Sequence, residues 1–174
     1  MKLDEQCRAV EWSLADVACV LTERMIVLDN AGIETKAFHV RDGLGIKLWR
    51  RAGFRFGIIT ARNSQIVKQR ASELGIDIVR QGFEEKLPAA QQVVAELGLR
   101  PAQVCYIGDA LPALPAIRFA GLGVAVADAV AEVRNGAHWV TQQRGGSGAV
   151  REVVERILKA KHRWDGMLQK YLVQ

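Results

Sequence analysis

Short apolar runs alternate with amphipathic segments along most of the chain, and this alternation restricts the possible fold more than any other feature. The runs predicted to be strands cover residues 54–60, 76–79, 104–107 and 123–127, and those at 54–60 and 104–107 are expected to be buried. The segments predicted to be helices cover residues 44–52, 63–74, 87–97 and 114–120. Strands and helices that alternate through short loops form a parallel sheet with helices on both faces. The expected fold class is therefore α/β, with a doubly wound, Rossmann-like parallel sheet.

A further strand is predicted at about residues 9–17, where Asp16 closes it. Two β-prone runs follow at residues 25–28 and 33–38, and the turn Asp29-Asn30-Ala31-Gly32 between them is a hairpin signal. We therefore expect an inserted β-hairpin at about residues 24–40, directly after the Asp16 loop. Residues 1–8 carry mixed charge without a clear period and are predicted to be a loose start.

The end of the chain is expected to form a C-terminal helix and tail at about residues 149–174. The helix, at about residues 149–160, carries an apolar stripe of the kind that usually packs into a core. An apolar face continues from Trp164 to Leu172, which is more than a small domain needs and favours a subunit contact. The length of 174 residues suits one domain over residues 1–174.

Charge and cysteine content exclude several classes of partner. The net charge is +5, but the basic residues are scattered over the polar faces of predicted helices, so we expect no nucleic-acid partner. A moderate positive field instead favours anionic substrates. The 3 cysteines have no metal-ligand spacing, and no apolar run approaches the roughly 20 residues of a membrane span. We expect a cytoplasmic protein with no membrane partner.

Polar side chains at the ends of separate elements suggest one site. Asp16 and Thr60 each close a predicted strand, Lys86 precedes a helix, and Asp109 follows the strand at 104–107. The carboxyl ends of parallel strands meet at the same edge of a sheet. A carboxylate nucleophile, a hydroxyl, a cation and a second carboxylate to share a metal suit phosphoryl transfer. Thr60 as a simple helix cap and Lys86 as a solvated charge remain alternatives.

In this order the residues resemble the haloacid dehalogenase (HAD) superfamily of phosphohydrolases, and more closely its capless branch of 3-deoxy-D-manno-octulosonate 8-phosphate phosphatases. The resemblance runs from about Ala15 to Tyr171. Its further motifs are Lys36-Ala37-Phe38-His39-Val40-Arg41-Asp42-Gly43-Leu44-Gly45, Ile58-Ile59-Thr60-Ala61-Arg62, Tyr106-Ile107-Gly108-Asp109, Val124-Ala125-Val126-Ala127-Asp128 and Gly145-Gly146-Ser147-Gly148-Ala149-Val150-Arg151-Glu152.

The resemblance implies roles for particular residues. Asp16 would be the nucleophile, and the groups that hold the phosphoryl group would be Thr60, Ala61, Arg62 and Lys86. Mg²⁺ would be bound by Asp16, Asp109 and the backbone carbonyl of Ala18. His39, Arg41 and Asp42 would contact a sugar-acid phosphate, unless they only close the hairpin by hydrogen bonds. The resemblance also implies a homotetramer in which the hairpins form a barrel and each site lies between subunits.

The chain departs from that branch where the branch carries acids. Asp-Val-Asp-Gly-Val-Leu-Thr-Asp-Gly is replaced by the segment from Asp16 to Arg24, so Ala18 stands at the general acid position. Gly-Asp-Asp-Leu-Pro-Asp is replaced by a segment with Ala110 and Ala113 in place of two acids. A general acid is worth about 10² to 10⁴ in rate. We therefore expect weakened or lost Mg²⁺ binding and little turnover.

Three hypotheses remain open. The first is a degenerate member that binds an anionic sugar or a partner. The second is an active phosphohydrolase or phosphotransferase that uses Asp16; the phosphonate-cleaving branch of the superfamily also resembles this chain in carrying Ala at the position of Ala18. The third is a structural assembly partner of a sugar-nucleotide enzyme.

Overall fold

A central six-stranded parallel sheet organises the computed structural model, which describes residues 2–172. Its strands are β1 (Trp12–Ala15), β4 (Arg55–Thr60), β5 (Ile78–Gln81), β6 (Val104–Gly108), β7 (Leu122–Ala125) and β8 (Trp139–Val140). Their spatial order is β5-β4-β1-β6-β7-β8, and every neighbouring pair is parallel. The chain moves outward from β1 in one direction and then in the other, so the order reverses beside β1. Ligands of doubly wound sheets bind at such a reversal.

Helices cover both faces of this sheet, as the alternating pattern predicts. They are α1 (Leu3–Ala9), α2 (Val40–Arg51), α3 (Gln65–Leu74), α4 (Lys86–Glu96), α5 (Leu114–Phe119), α6 (Ala131–Gly136), α7 (Ala149–Ala160) and α8 (Trp164–Leu172). In one layer α7 packs against both α1 and α2, while α4 packs against α5. The central strands are buried along their full length, as expected for strands covered on two faces. The predicted fold class is confirmed.

The predicted loose start at residues 1–8 is wrong. The segment forms helix α1, whose Cys7 is fully buried. Cys7 and Leu3 are four residues apart and therefore lie on one face of a helix. That short face becomes stable only by packing on α7, from the opposite end of the chain. The first strand is also shorter than residues 9–17, and α6 and β8 were not predicted.

The inserted hairpin is present at the predicted place. Its strands β2 (Val27–Leu28) and β3 (Glu34–Thr35) pair antiparallel. The carboxylate of Asp29 accepts hydrogen bonds from the backbone N–H groups of Ala31 and Ile33, both at 2.8 Å. An aspartate that binds its own turn in this way favours a tight reversal. The hairpin stands apart from the main sheet and exposes large apolar side chains.

Within residues 2–172, the helices are all too short or too polar to cross a membrane.

Candidate functional site

A cavity of about 380 Å³ opens at the carboxyl ends of β1, β4 and β6. It brings together seven of the residues that the sequence singles out. These are Asp16, Ala18, Thr60, Ala61, Arg62, Lys86 and Asp109. Each lies at or just beyond the end of a strand or at the start of a helix, which is why residues distant in sequence converge here.

Asp16 lies one residue beyond β1 and is only 6% exposed. Its backbone N–H donates to the carbonyl of Ile107 at 3.1 Å, so the ladder between β1 and β6 continues to this residue. The phenol of Tyr106 donates to Asp16 Oδ1 at 2.7 Å. Burial raises the pKa of Asp16 from 3.8 to about 7, and Asp109 adds to the rise, while Lys86 and the Tyr106 hydrogen bond oppose it. The site therefore holds a carboxylate whose charge is costly to bury.

Lys86 begins helix α4 and is 5% exposed. Its ammonium donates to the carbonyl of Phe83 at 2.7 Å, and the Phe83 N–H donates to the carbonyl of Thr60 at 3.1 Å. The two candidate phosphate-holding residues are thus joined through one backbone segment. Thr60 does not cap α3, because that cap is supplied by Ser64, whose hydroxyl accepts from the N–H of Val67 at 3.4 Å. The hydroxyl and the ammonium remain suited to an oxyanion.

Arg62 lies at the rim of the cavity. Its guanidinium forms an ion pair with Glu34 of the hairpin at 3.2 Å, and about half of its side chain is exposed. Lys36 contacts the same carboxylate at 2.8 Å, and these cations lower the pKa of Glu34. Ala61 and Arg62 follow β4 in the loop before α3. The rim is therefore tied to the hairpin rather than to the nucleophile.

Asp109 follows β6 and is 3% exposed. Its Oδ2 atom is buried without a hydrogen-bond partner among the described residues, although the Arg24 guanidinium lies 3.5 Å away. Burial raises the pKa of Asp109, and the Cys19 thiol and Arg24 act against that rise. Burial and the neighbouring Asp109 also raise the pKa of Cys19 to about 12. Because only a thiolate is a strong nucleophile, Cys19 stands here as a neutral thiol and not as a reactive one.

The metal donors of the cavity form an incomplete set. Asp16 and Asp109 bring carboxylates, but Ala18, Ala110 and Ala113 bring no side-chain donor to the same cavity. One oxygen of Asp16 accepts from Tyr106, and Asp109 faces a cation. In residues 2–172 no three His, Cys, Asp or Glu side chains are grouped to hold a metal ion. As they stand, these residues do not fit a tightly held divalent cation, which prefers several oxygen ligands.

The remaining predicted substrate residues lie away from this cavity. His39 caps α2, and its Nδ1 accepts from the N–H of Arg41 at 3.3 Å. Asp42 is 2% exposed and accepts from the N–H groups of Gly148 at 3.2 Å and Arg151 at 2.9 Å. Arg41 lies along a separate surface groove that Arg151 also lines. Within one chain, therefore, Asp42 joins α2 to α7, and none of the three lines the Asp16 cavity.

Two further residues bear on the site, and the sequence analysis did not single them out. Tyr106 lies two residues before Gly108 in a motif that the resemblance quotes, but strand pairing is needed to place its hydroxyl on Asp16. The resemblance places Arg24 where the related motif has glycine, and an arginine at such a position is the signal that could have identified it. Its contact with Asp109 joins residues that are far apart in the chain, which no local pattern encodes.

Comparison with known proteins gives a consistent result. A family model described as haloacid dehalogenase-like hydrolase matches residues 57–153. A 3-deoxy-D-manno-octulosonate 8-phosphate phosphatase of Yersinia pestis is 42% identical over 153 residues, which cover 88% of this chain and 82% of the relative.

Solved structures of phosphatases are also similar to this chain. The phosphatase of that name from Moraxella catarrhalis, in complex with magnesium, phosphate and KDO, has a TM-score of 0.95 at 38% identity and covers 97% of each chain. The cobalt-bound phosphatase of Haemophilus influenzae has a TM-score of 0.88 at 36% identity, over 91% of this chain and 93% of its own. The chain is similar to these proteins over nearly its whole length.

Proposed function

Because the chain belongs to the haloacid dehalogenase-like hydrolases, among relatives named 3-deoxy-D-manno-octulosonate 8-phosphate phosphatase, we propose that it binds an anionic sugar-acid phosphate and hydrolyses it poorly or not at all. One observation carries this proposal. The cavity keeps Asp16, Thr60 and Lys86, while Ala18, Ala110 and Ala113 line it where the related branch carries acids. Binding groups are retained, and groups for turnover are lost.

The missing step is proton transfer to the leaving oxygen. A phosphate ester is cleaved when Asp16 attacks phosphorus and the departing alkoxide receives a proton. Ala18 cannot supply that proton. Cys19, with a pKa raised to about 12, and Tyr106, with a pKa raised well above its usual value by burial, are both poor donors at neutral pH. Without a donor, an alkoxide would have to leave unprotonated, which slows the reaction.

We also propose that the cavity binds Mg²⁺ weakly, because alanines stand where the resemblance expects carboxylates. In the related branch Mg²⁺ would neutralise charge on the phosphoryl group and orient it. In this chain Asp16 and Asp109 would hold the ion, together with the backbone carbonyl of Ala18. Three alanines remove the carboxylates that would support such an ion, so its affinity should fall. The bound magnesium and cobalt of the relatives support a metal-binding ancestry for the cavity.

A second candidate function is an active hydrolase with a different proton donor. The observation that favours it is that Glu84, an exposed carboxyl group just before α4, lines the same cavity as Asp16 and Lys86. A carboxylic acid at this place would supply the leaving-group proton that Ala18 cannot. If this candidate holds, Glu84→Gln abolishes turnover while substrate binding persists.

The proposal extends to self-association. Met25, Ile26, Leu28 and Ile33 are each more than half exposed on an inserted hairpin. An isolated two-stranded hairpin is marginally stable, and contiguous exposed apolar surface marks interaction sites. The tetramer implied by the resemblance would cover these side chains with hairpins of other copies. A second copy of this chain is therefore the proposed partner.

The deciding experiment measures binding and turnover separately. The wild type, Asp16→Asn and the triple variant Ala18→Asp/Ala110→Asp/Ala113→Asp are assayed with 3-deoxy-D-manno-octulosonate 8-phosphate and Mg²⁺, and binding is measured by calorimetry. We expect the wild type to bind the ester and to turn over at least about 10²-fold more slowly than the triple variant. Wild-type turnover at the triple variant's rate that Asp16→Asn abolishes would overturn the proposal in favour of the second candidate. Absence of ester binding would overturn both.

A further inference from the structure

The guanidinium of Arg24 contacts two carboxylates, that of Asp109 in the cavity and that of Asp128 outside it. Its Nη2 atom is 3.5 Å from Asp109 Oδ2, and its Nε atom is 3.1 Å from Asp128 Oδ2. The side chain is 37% exposed, whereas that of Asp109 is 4% exposed. Arg24 therefore reaches inward from the surface and places a positive charge against a buried carboxylate.

The guanidinium is held in place by hydrogen bonds to Asp128. Arg24 donates through Nε to the carboxylate of Asp128 and through Nη2 to its backbone carbonyl. Asp128 is itself fixed, because its Oδ1 accepts from the N–H of Gly145 at 2.9 Å. These bonds connect the loop after Asp16 to the loop after β7. A guanidinium with such a fork of donors is oriented rather than merely nearby.

This arrangement matters because Asp109 has no other strong partner. Its Oδ2 atom makes no hydrogen bond among the described residues, and within residues 2–172 its ion-pair partner is Arg24. A divalent metal would need the same oxygen and would meet the guanidinium charge beside it. Arginine stays protonated at all physiological pH values and cannot dissociate from the chain. An ion in solution therefore competes with a tethered charge at high effective concentration.

We propose that Arg24 is an internal cation that takes the place of a divalent metal beside Asp109, so that the cavity binds a phosphate-type oxyanion without a metal. The anion would be held by Lys86 and Thr60, which within residues 2–172 form no hydrogen bond or ion pair with the side chains of Arg24 and Asp109. This inference rests on the proposed function only in taking the cavity as the anion site. The metal titration that tests the inference uses no ester and measures no turnover. The inference and the proposed function can therefore fail separately.

The test titrates Mn²⁺ as the metal probe, read by water-proton relaxation, into the folded full chain. Arg24→Gln removes the charge and keeps a planar donor for Asp128, and Arg24→Lys keeps the charge. Arg144→Gln is the matched control, because Arg144 contacts the same Asp128 at 3.5 Å but is 72% exposed and has no recorded contact with Asp109. If Arg24→Gln does not fold, Arg24→Gly restores the residue of the related motif.

We expect weak Mn²⁺ binding in the wild type, Arg24→Lys and Arg144→Gln, and about tenfold tighter binding in Arg24→Gln. Inorganic phosphate, followed by ³¹P resonance, should bind the wild type equally well with EDTA and with Mg²⁺. Equal Mn²⁺ affinity in the wild type and Arg24→Gln would overturn the inference. So would an equal gain in Arg144→Gln, or loss of phosphate binding in EDTA.

Discussion

Tyr106 donates its phenolic proton to Oδ1 of Asp16 across 2.7 Å, and both side chains are buried. Tyr106 belongs to β6 and pairs in register with Leu14, two residues before Asp16, so the sheet itself sets the distance. The hydrogen bond fixes the position of Oδ1, and the second carboxylate oxygen, Oδ2, takes no part in it. The candidate nucleophile is thus oriented by the fold.

The Asp16→Asn variant should be more stable than the wild type, and by more at higher pH. Asp16 has a folded pKa of about 7 against an ordinary value of 3.8, so the folded state holds this proton more tightly than the unfolded state. The contribution of Asp16 to the free energy of unfolding therefore falls as pH rises from 3.8 to about 7, and it stays constant at higher pH. The advantage of Asp16→Asn should grow by about 2–3 kcal/mol between pH 5 and pH 8.

Urea unfolding at several pH values measures this advantage. Asp165→Asn is the matched control, because Asp165 is an exposed carboxylate in the first turn of α8. The free energy of unfolding of Asp165→Asn should stay within a few tenths of a kcal/mol of the wild-type value at every pH. The stability difference between Asp16→Asn and the wild type should depend on pH. If it does not, burial does not raise the pKa of Asp16 in the folded protein.

The Tyr106→Phe variant tests the hydrogen bond itself. At pH 8, loss of a donor to a charged oxygen should lower the free energy of unfolding by about 1.5–3 kcal/mol. In the Asp16→Asn background the acceptor is neutral, and the same change should cost about 0.5–1.5 kcal/mol. Urea unfolding of the wild type, the two single variants and the double variant completes a double-mutant cycle. The difference between the two costs of Tyr106→Phe measures the coupling energy between Tyr106 and the charge of Asp16.

Tyr171→Phe provides the control for removing a phenolic hydroxyl. Tyr171 accepts from Arg51 at 3.0 Å but is 54% exposed, so its loss should change stability by less than about 0.5 kcal/mol. Identical costs for Tyr106→Phe in both backgrounds would mean that the phenol supports packing only and does not interact with the charge of Asp16.

The sequence predicts this fold well because the signals for its central elements are local. Residues 65–74 repeat apolar positions at helical spacing and end at Gly75, which adopts a φ of 64°. Other features depend on contacts that no local pattern encodes. Helix α1 was missed because it depends on packing against α7 from the far end of the chain, and the hydrogen bonds that Asp42 accepts from Gly148 and Arg151 form only when the folded chain brings those backbone groups near. Contacts between distant segments produce no periodic hydrophobic pattern in the sequence, so they cannot be predicted from it.

The same distinction applies to the site. Asp16, Thr60, Lys86 and Asp109 could be predicted to meet because parallel strands bring their carboxyl ends to one edge. Arg24 could not, since its partner Asp128 lies in a loop after another strand and the pairing depends on loop geometry. The residues that follow the strands and begin the helix could therefore be predicted from sequence, whereas the Arg24 contact, which depends on the folding of two loops, could not.

The Gly145→Ala variant should damage the loop that follows Asp16. A Cβ atom at Gly145 would overlap the backbone carbonyl of Cys19, and the next residue, Gly146, donates its N–H to the carbonyl of Val20 at 2.8 Å. Because the atoms that a Cβ would meet belong to the backbone of Cys19 and Val20, the loop must move, which would also disturb the Gly146 hydrogen bond. We expect a loss of about 3 kcal/mol or more in the free energy of unfolding, measured by urea unfolding.

Gly166→Ala is the matched substitution, because a Cβ at Gly166 in α8 meets no atom within 4 Å. Alanine is a better helix former than glycine, so this variant should be neutral or more stable by up to about 1 kcal/mol. Equal destabilisation of the two variants would mean that the Cys19 contact is not what requires glycine at position 145.

The hairpin should control the size of the assembly. Ile26 and Ile33 are 60% and 61% exposed, and a charge placed on each would have to be buried if hairpins of several copies pack together. Burying an unpaired charge in an apolar contact is strongly unfavourable. We expect Ile26→Glu/Ile33→Glu to convert the wild-type assembly to monomers or dimers, measured by light scattering after size-exclusion chromatography.

Ala31→Glu separates an apolar contact from a general charge effect. Ala31 is exposed at the hairpin turn, and its recorded hydrogen bond uses the backbone N–H, so the turn should survive the substitution. This variant adds a negative charge to the same hairpin but leaves the apolar side chains in place, and it should keep the wild-type mass. If the wild type is itself a monomer at micromolar concentrations, or if Ala31→Glu dissociates the assembly as fully as the double variant does, then the apolar face of the hairpin is not the contact.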